Sequence, residues 1–275
     1  MKANAGCRPI LRWAGGKRRL VPRLMKLLPS HWDYYVEPMA GSAALFFLLA
    51  PPKAILADIN SELMNFYGAL RNDTDRLVTR LSSLRASKAL YDSMRNGKPT
   101  SGLERAVRFA YLNRLCWNGL HRVNRNGFFN VPIGDRLPKR LWSAEGLSQA
   151  ARLLQNARLL NDDFERTLRG IKRGSFVFID PPYPRGARKG WFNRYSKDFF
   201  LFEDHQRLGR LTETLDERGI SLMMIVGANP ELLRCYSSSF VRTRLRSKSL
   251  ISSKPSSRFS VEEVVLTNYD PRDRS

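Results

Sequence analysis

The sequence is poor in the side chains that build cross-links and metal centres. It has three cysteines, Cys7, Cys116 and Cys235, and three histidines in 275 residues. Cysteines so spaced form no paired motif, so a disulfide framework and a zinc constellation are both excluded, and no metal is expected. A reducing cytoplasm fits that usage. Long hydrophobic runs are missing too: nothing approaches the ~20 apolar residues of a bilayer span, and the stretch Ala43 to Ala50 reads as a short buried helix. Lys2 and Arg8 near the N-terminus precede no signal-like apolar core, so secretion and membrane insertion are not expected.

Acidic residues are also scarce. Only 25 Asp and Glu stand against 47 Lys and Arg, a formal net charge of +22. Such an excess points to a polyanionic partner. The basic residues are spread over many segments, which implies a folded positive face rather than an appended basic arm. What the chain does have is a 43% hydrophobic fraction with scattered aromatics, among them Trp13, Trp117, Phe128, Phe129 and Tyr183. Disordered chains lack that material, so a folded α/β protein with a substantial core is expected.

The order of elements supports this. Tyr34 to Val36 is a β-prone run that meets the small-residue turn Glu37-Pro38-Met39-Ala40-Gly41-Ser42 and then the helix-forming Ala43 to Leu49. A second run, Ala54 to Ala57, ends at Asp58, and Asn60 can cap a helix carrying Leu63, Phe66, Tyr67 and Leu70. This βαβα pattern implies a parallel sheet. From Asp73 to Gly146 β-prone runs give way to helical spacing (Leu77, Leu81 and Leu84; Ala106, Phe109, Ala110 and Asn113), the mark of an inserted helical domain. Near its end Asn126-Gly127 lies between β-capable flanks and predicts a two-residue hairpin turn. Strands resume near Arg158 to Leu160, at Ser175 to Ile179 and at Ser221 to Val226, with a crossover helix over Phe199 to Leu215. Val241 to Tyr269 alternates as strands around a Ser- and Lys-rich loop.

Chemistry concentrates in Asp180-Pro181-Pro182-Tyr183, directly after the apolar strand ending at Ile179. Open parallel sheets bind ligands beyond the carboxyl ends of their strands. An exocyclic base amine is a poor nucleophile until acceptors hold both its hydrogens. Asp180 offers a carboxylate and Pro181 a carbonyl, while two prolines stiffen the segment and remove its N–H donors. Tyr183 gives a flat surface for a base taken out of its duplex. Gly41 lets backbone approach a ligand, and Asp58, 17 residues further on, suits a ribose-binding acid. Arg12-Trp13-Ala14-Gly15-Gly16-Lys17 lacks the spacing of an NTPase phosphate loop. Its lysine can meet a cofactor carboxylate or a DNA phosphate. Trp117, Asn118, Arg122, Asn124 and Arg125 combine an aromatic wedge with groove-reading donors, or form a solvated hairpin with Trp117 in the core.

With these motifs in this order the chain resembles the DNA adenine methyltransferase (Dam) family, in the α-group arrangement, over nearly its whole length. Tyr111 to Arg114 and Asn118 to Pro132 match as well. The resemblance implies an α/β, Rossmann-like sheet dependent on S-adenosylmethionine, with residues 1–72 and 147–275 catalytic. An inserted, mainly helical recognition domain at 73–146 carries a β-hairpin. It implies a cofactor pocket of Trp13, Lys17, Pro38, Met39, Gly41, Ser42, Asp58, Asp163, Phe164 and Asp180. It implies double-stranded DNA contacts by Arg12, Leu120, Arg122, Pro132 and Arg136, with Trp117 and Asn118 filling the space of a flipped adenine, and a second aromatic element of Tyr195 and Phe199. GATC is the family's typical site. Arg12, Trp117 and Asp135 depart from the family's usual residues, so relaxed specificity stays open. Cytosine-amine or RNA methylation and a catalytically silent DNA-binding protein are the alternatives. No obligatory protein partner is expected.

Overall fold

The computed structural model describes residues 6–13, 15–182, 200–248 and 260–273. Five short strands, β1 (Tyr34–Glu37), β2 (Ala54–Ala57), β3 (Ala157–Leu160), β4 (Ser175–Ile179) and β5 (Ser221–Gly227), run parallel. Two longer ones, β6 (Val241–Lys248) and β7 (Ser260–Thr267), complete the sheet. The spatial order is β3-β2-β1-β4-β5-β7-β6, with β7 antiparallel to both its neighbours. This mixed α/β, Rossmann-like sheet is the expected fold class. The chain moves outward from β1 through β2 to β3 and then returns to β4 on the other side of β1. That reversal opens a crevice at the carboxyl ends of β1 and β4. Glu37 and Asp180, far apart in sequence, therefore end neighbouring strands paired as Val36 with Val177.

The apolar run of β4 is buried on both faces, as a central parallel strand requires. Phe176 and Phe178 enter one core with Tyr35, Phe46, Phe66 and Tyr67. Val177 and Ile179 enter the other with Val36, Leu208 and Met224. Each such side chain contributes about 1.5–3 kcal/mol by leaving water. Helix α1 (Val21–Leu24) is a single turn, and α2 (Ala44–Leu49) covers β1. Asn60 caps α3 (Ser61–Asn72) as expected, its Oδ1 accepting from Glu62 N and Leu63 N at 3.1 Å each.

Between α3 and β3 come α4 (Thr74–Ser83), α5 (Lys88–Asn96), α6 (Gly102–Leu115) and α7 (Ala144–Leu154). Leu77 and Leu81 of α4 and Ala106, Val107, Phe109 and Ala110 of α6 belong to the main core. Only the far part of this region, with Tyr91, Tyr111, Leu112, Leu115, Phe129, Val131 and Leu141, forms a cluster of its own. Helix α6 thus runs through both. The hairpin is present with a different turn. Asn124 N donates to Phe128 O at 2.8 Å and Gly127 N to Asn124 O at 2.9 Å, which closes a three-residue loop. Gly127 (φ +78°) takes the left-handed place after it. A pairing of Val123 with Phe129 is all the β structure it has. Helices α8 (Phe164–Arg169), α9 (Phe202–Glu217) and α10 (Pro230–Leu233) complete the described elements.

Candidate active site

The turn after β1 is built around one close approach. A Cβ at Gly41 (φ +48°) would lie 2.8 Å from Trp13 Cδ1 and 2.9 Å from Nε1, so only glycine lets the indole lie on this backbone. Gly41 N donates to Asp58 Oδ2 at 2.9 Å, Asn60 N donates to Asp58 Oδ1 at 2.9 Å, and Tyr67 OH donates to Gly41 O at 2.7 Å. Asp58 therefore ties the ends of β1 and β2 together, and burial raises its pKa against those two N–H groups. Each carboxylate oxygen keeps a second lone pair for a ribose hydroxyl. The helix starts one residue later than Ala43: Ala43 (φ +47°) is left-handed and α2 begins at Ala44, leaving Ser42 buried in the turn. Pro38 is buried and Met39 half-buried against the second core.

At the end of β4 the Asp180 carboxylate is bound to Lys17. Lys17 Nζ lies 2.7 Å from Asp180 Oδ1 and 3.0 Å from Oδ2, donates to Gly15 O at 2.7 Å, and stands 3.6 Å from Glu263 Oε1 on β7. Burial raises the Asp180 pKa, the lysine opposes that, and Glu263 adds to it. Sequence reasoning missed Glu263, which is 5% exposed. Nothing in its local sequence marks it, and only the strand order brings it here. Pro181 is buried and Pro182 exposed. Tyr183, Tyr195 and Phe199 lie outside the described residues. Beneath the site, Glu37 accepts from Phe46 N at 3.0 Å and from Tyr35 OH, and burial lifts its carboxyl to about 8.

Asp163 and Phe164 sit beyond β3 and are held firmly. Asp163 caps α8 through Glu165 N at 2.9 Å. Arg207 reaches Asp163 at 3.3 Å, Glu165 at 3.0 Å and Asp204 at 3.1 Å, with its guanidinium 4.3 Å from the centre of the Phe164 ring. Ile59, 65% exposed beside Asp58, is an apolar surface at the crevice that the sequence reading did not single out. Asn161 Nδ2 donates to the carbonyls of Asp58 and Ile59 at 2.9 and 3.0 Å and fixes that loop.

Of the predicted recognition residues, Arg12 is held against the segment from Asn113 to Leu120. Buried Asn113 accepts from Arg12 N at 3.0 Å and donates to Arg12 O at 2.6 Å. A Cβ at Gly119 would meet Arg12 Cβ at 2.5 Å, so Arg12 is pressed against the segment Trp117 to Leu120. Arg12, Asn118, Arg122, Arg125, Pro132 and Arg136 are exposed, and Leu120 is half-buried. Trp117 is half-buried against the distal cluster. Asn124 turns inward on its own loop, where its Oδ1 accepts from Asn126 N and Phe128 N at 3.0 Å each and shapes the turn. His121 joins the two sides. It stacks on Trp13 (6.1 Å between centroids, 16° between planes) and bonds Asn60 Nδ2 through Nδ1 at 3.2 Å. A depression of about 580 Å³ between α9 and α10, lined by Phe202, Gln206, Arg210, Glu213, Glu231 and Arg234, contains none of these side chains.

Residues 13–254 match the D12 class N6 adenine-specific DNA methyltransferase family. The chain is 33% identical to Type II methyltransferase M1.LlaDCHI of Lactococcus lactis subsp. cremoris, covering 98% of each chain. It is 34% identical to the DNA adenine methylase of Serratia marcescens, covering 85% of this chain and 87% of that one. With the DNA adenine methylase of Escherichia coli K12 the identity is 33%, over 82% and 81%. A parallel-sheet crevice flanked by Gly41 and Asp180, the family match over most of the chain and these relatives lead to one conclusion: the chain belongs to the D12 class N6 adenine-specific DNA methyltransferases.

Proposed function

We propose that this protein methylates the exocyclic amine of an adenine turned out of double-stranded DNA, using the crevice between β1 and β4. The observation that carries this reading is the position of Asp180. Its carboxylate stands at the mouth of the crevice with Lys17 on one side and the acceptor-only Pro181 on the other. S-adenosylmethionine supplies a methyl group on a cationic sulfur, already activated toward a nucleophile. The chain's residues fit that molecule: Gly41 and Trp13 form a cradle a side chain would fill, Asp58 has lone pairs for a ribose, and Lys17, Asp180 and Glu263 offer charges for an amino-acid end. Pro38, Met39, Asp163 and Phe164 complete the proposed pocket wall.

The Asp180 carboxylate and the Pro181 carbonyl accept the two hydrogens of the target amine and direct its lone pair for in-line attack. Positioning and preorganised charge supply most of the rate. The amine's proton leaves to water after transfer. Residues 73–146 serve as the recognition region, with Arg12, Leu120, Arg122, Arg125, Pro132 and Arg136 on the DNA and Trp117 and Asn118 at the vacated base position. GATC is the first site to test, and the charge of +22 favours relaxed stringency.

The test is incubation with isotope-labelled S-adenosylmethionine and duplex DNA, followed by nucleoside analysis and direct calling of modified bases. N6-methyladenine is the expected product; label on cytosine or in RNA alone would overturn the proposal. Asp180→Ala is expected to abolish transfer while duplex affinity stays within a few-fold. A catalytically silent DNA-binding protein would give no heat with the cofactor in calorimetry.

A further inference from the structure

Arg207 lies in the second turn of α9, and its guanidinium reaches across to the start of α8. Nη1 donates to Glu165 Oε2 at 3.0 Å and to Asp163 Oδ1 at 3.4 Å, and Nη2 to Asp204 Oδ1 at 3.1 Å and to Asp163 Oδ2 at 3.3 Å. Its Cζ stands 4.3 Å over the centre of the Phe164 ring, which packs on Phe200 at 5.6 Å between centroids. One side chain therefore holds both members of the pair Asp163-Phe164. Arg207 is 36% and Asp163 35% exposed, and ion pairs this open to water add little to stability. What a two-pronged guanidinium adds is orientation of the carboxylate it grips.

That orientation matters because of what the two Asp163 oxygens do. Oδ1 is committed to the chain: it accepts from Glu165 N at 2.9 Å and caps α8. Oδ2 accepts only from Arg207 among the described residues. A carboxylate oxygen has two lone pairs, so Oδ2 keeps one for an incoming N–H. Asn161, two residues earlier, is bonded to the carbonyls of Asp58 and Ile59, which places Asp163 on the same rim of the sheet as Asp58. An acceptor there suits the 6-amino group of an adenine, which donates. It opposes a 6-oxo base, which presents a second acceptor instead.

We propose that Arg207 is a positioning residue for cofactor choice: by clamping Asp163 and Phe164 together it aims Asp163 Oδ2 at the 6-amino group of the adenosyl moiety, so that the pocket selects an adenosyl over an inosyl ligand. This rests on the assignment of Asp163 and Phe164 to the cofactor pocket.

The experiment measures, by calorimetry, the affinities of wild-type, Arg207→Met, Arg207→Lys and Asp163→Asn proteins for S-adenosylhomocysteine and for its 6-oxo analogue S-inosylhomocysteine, with thermal unfolding alongside. The wild-type protein is expected to prefer the adenosyl ligand at least tenfold. Met keeps the apolar contact with Phe164 without the donors, and is expected to reduce that preference to threefold or less. Lys keeps the charge but offers a point donor in place of the fork. It is expected to lower the preference at least twofold, and it carries the test if Arg207→Met fails to fold. Asp163→Asn is expected to erase the preference, and adding Arg207→Met to it should change the ratio no further, because the arginine acts through the aspartate. In duplex methylation Arg207→Met is expected to raise the cofactor KM while kcat stays within threefold. An unchanged adenosyl preference in the Arg207 variants, equal wild-type affinities for the two ligands, or a further loss in the double variant would each overturn the proposal. A wild-type protein that binds neither ligand would refute the proposed function instead.

Discussion

Gly41 combines two demands that a side chain cannot meet together, a left-handed backbone and contact with the Trp13 indole. Gly41→Ala is expected to cost about 1–3 kcal/mol through strain and displacement of that ring. Cofactor affinity should fall at least tenfold in calorimetry; unchanged affinity would show that Trp13 lies outside the pocket. Glu37 makes a second prediction. Its carboxyl titrates near 4.5 when unfolded and at about 8 when folded, because burial disfavours the charge. A group raised in this sense contributes stability that is complete below pH 4.5 and is lost as pH climbs through 8. Wild-type protein is therefore expected to lose on the order of a few kcal/mol between about pH 5 and about pH 8.5 relative to Glu37→Gln, which keeps both acceptor contacts. Parallel denaturation curves for the two proteins across that range would contradict this.

At the scale of elements, the hairpin separates shape from contact. Asn124→Ala removes the acceptor for two backbone N–H groups and is expected to loosen the turn, weakening duplex binding without changing the salt slope. Arg125→Ala keeps both Asn124 acceptor contacts and is expected to reduce the log–log salt slope by about 0.9 if it meets one phosphate. Fluorescence anisotropy over a salt series measures both. How much of this is legible in the sequence follows from the range of the interactions. Strands β1, β2, β4 and β5 and helix α3 are readable because apolar runs and an Asn cap are local signals. The turn type is not, because Asn126-Gly127 suits two loop lengths, and Asn124, two residues before Asn126, decides between them. Gly41, Asp58 and Asp180 are readable as types next to strand ends, and Lys17 as a cation beside a glycine turn. Glu263, the grip of Asn113 on Arg12, and the Arg207 clamp on Asp163 are not, since each depends on strand order or helix packing that no short segment encodes.

For the whole molecule the governing quantity is charge. A net +22 spread over a folded surface makes long-range attraction to DNA strong and unselective. With six to ten phosphate contacts, affinity is expected to fall roughly 10³–10⁵-fold between about 50 and about 200 mM salt. Discrimination among sites is expected to improve over the same range, because base contacts persist while phosphate contacts fade. Methylation of a panel of duplexes at stepped salt would reveal this, and a specificity ratio independent of salt would argue against it.

Helix α6 belongs to two cores at once, and this determines where the protein can be re-engineered. A specificity transplant cut at positions 73 and 146 would remove Leu77, Leu81, Val107 and Phe109 from beneath the sheet layer and leave the recipient hollow. A graft confined to the stretch after Leu115 and before Leu141, with buried Cys116, Phe129 and Val131 retained, exchanges the proposed reading surface while both cores stay in place.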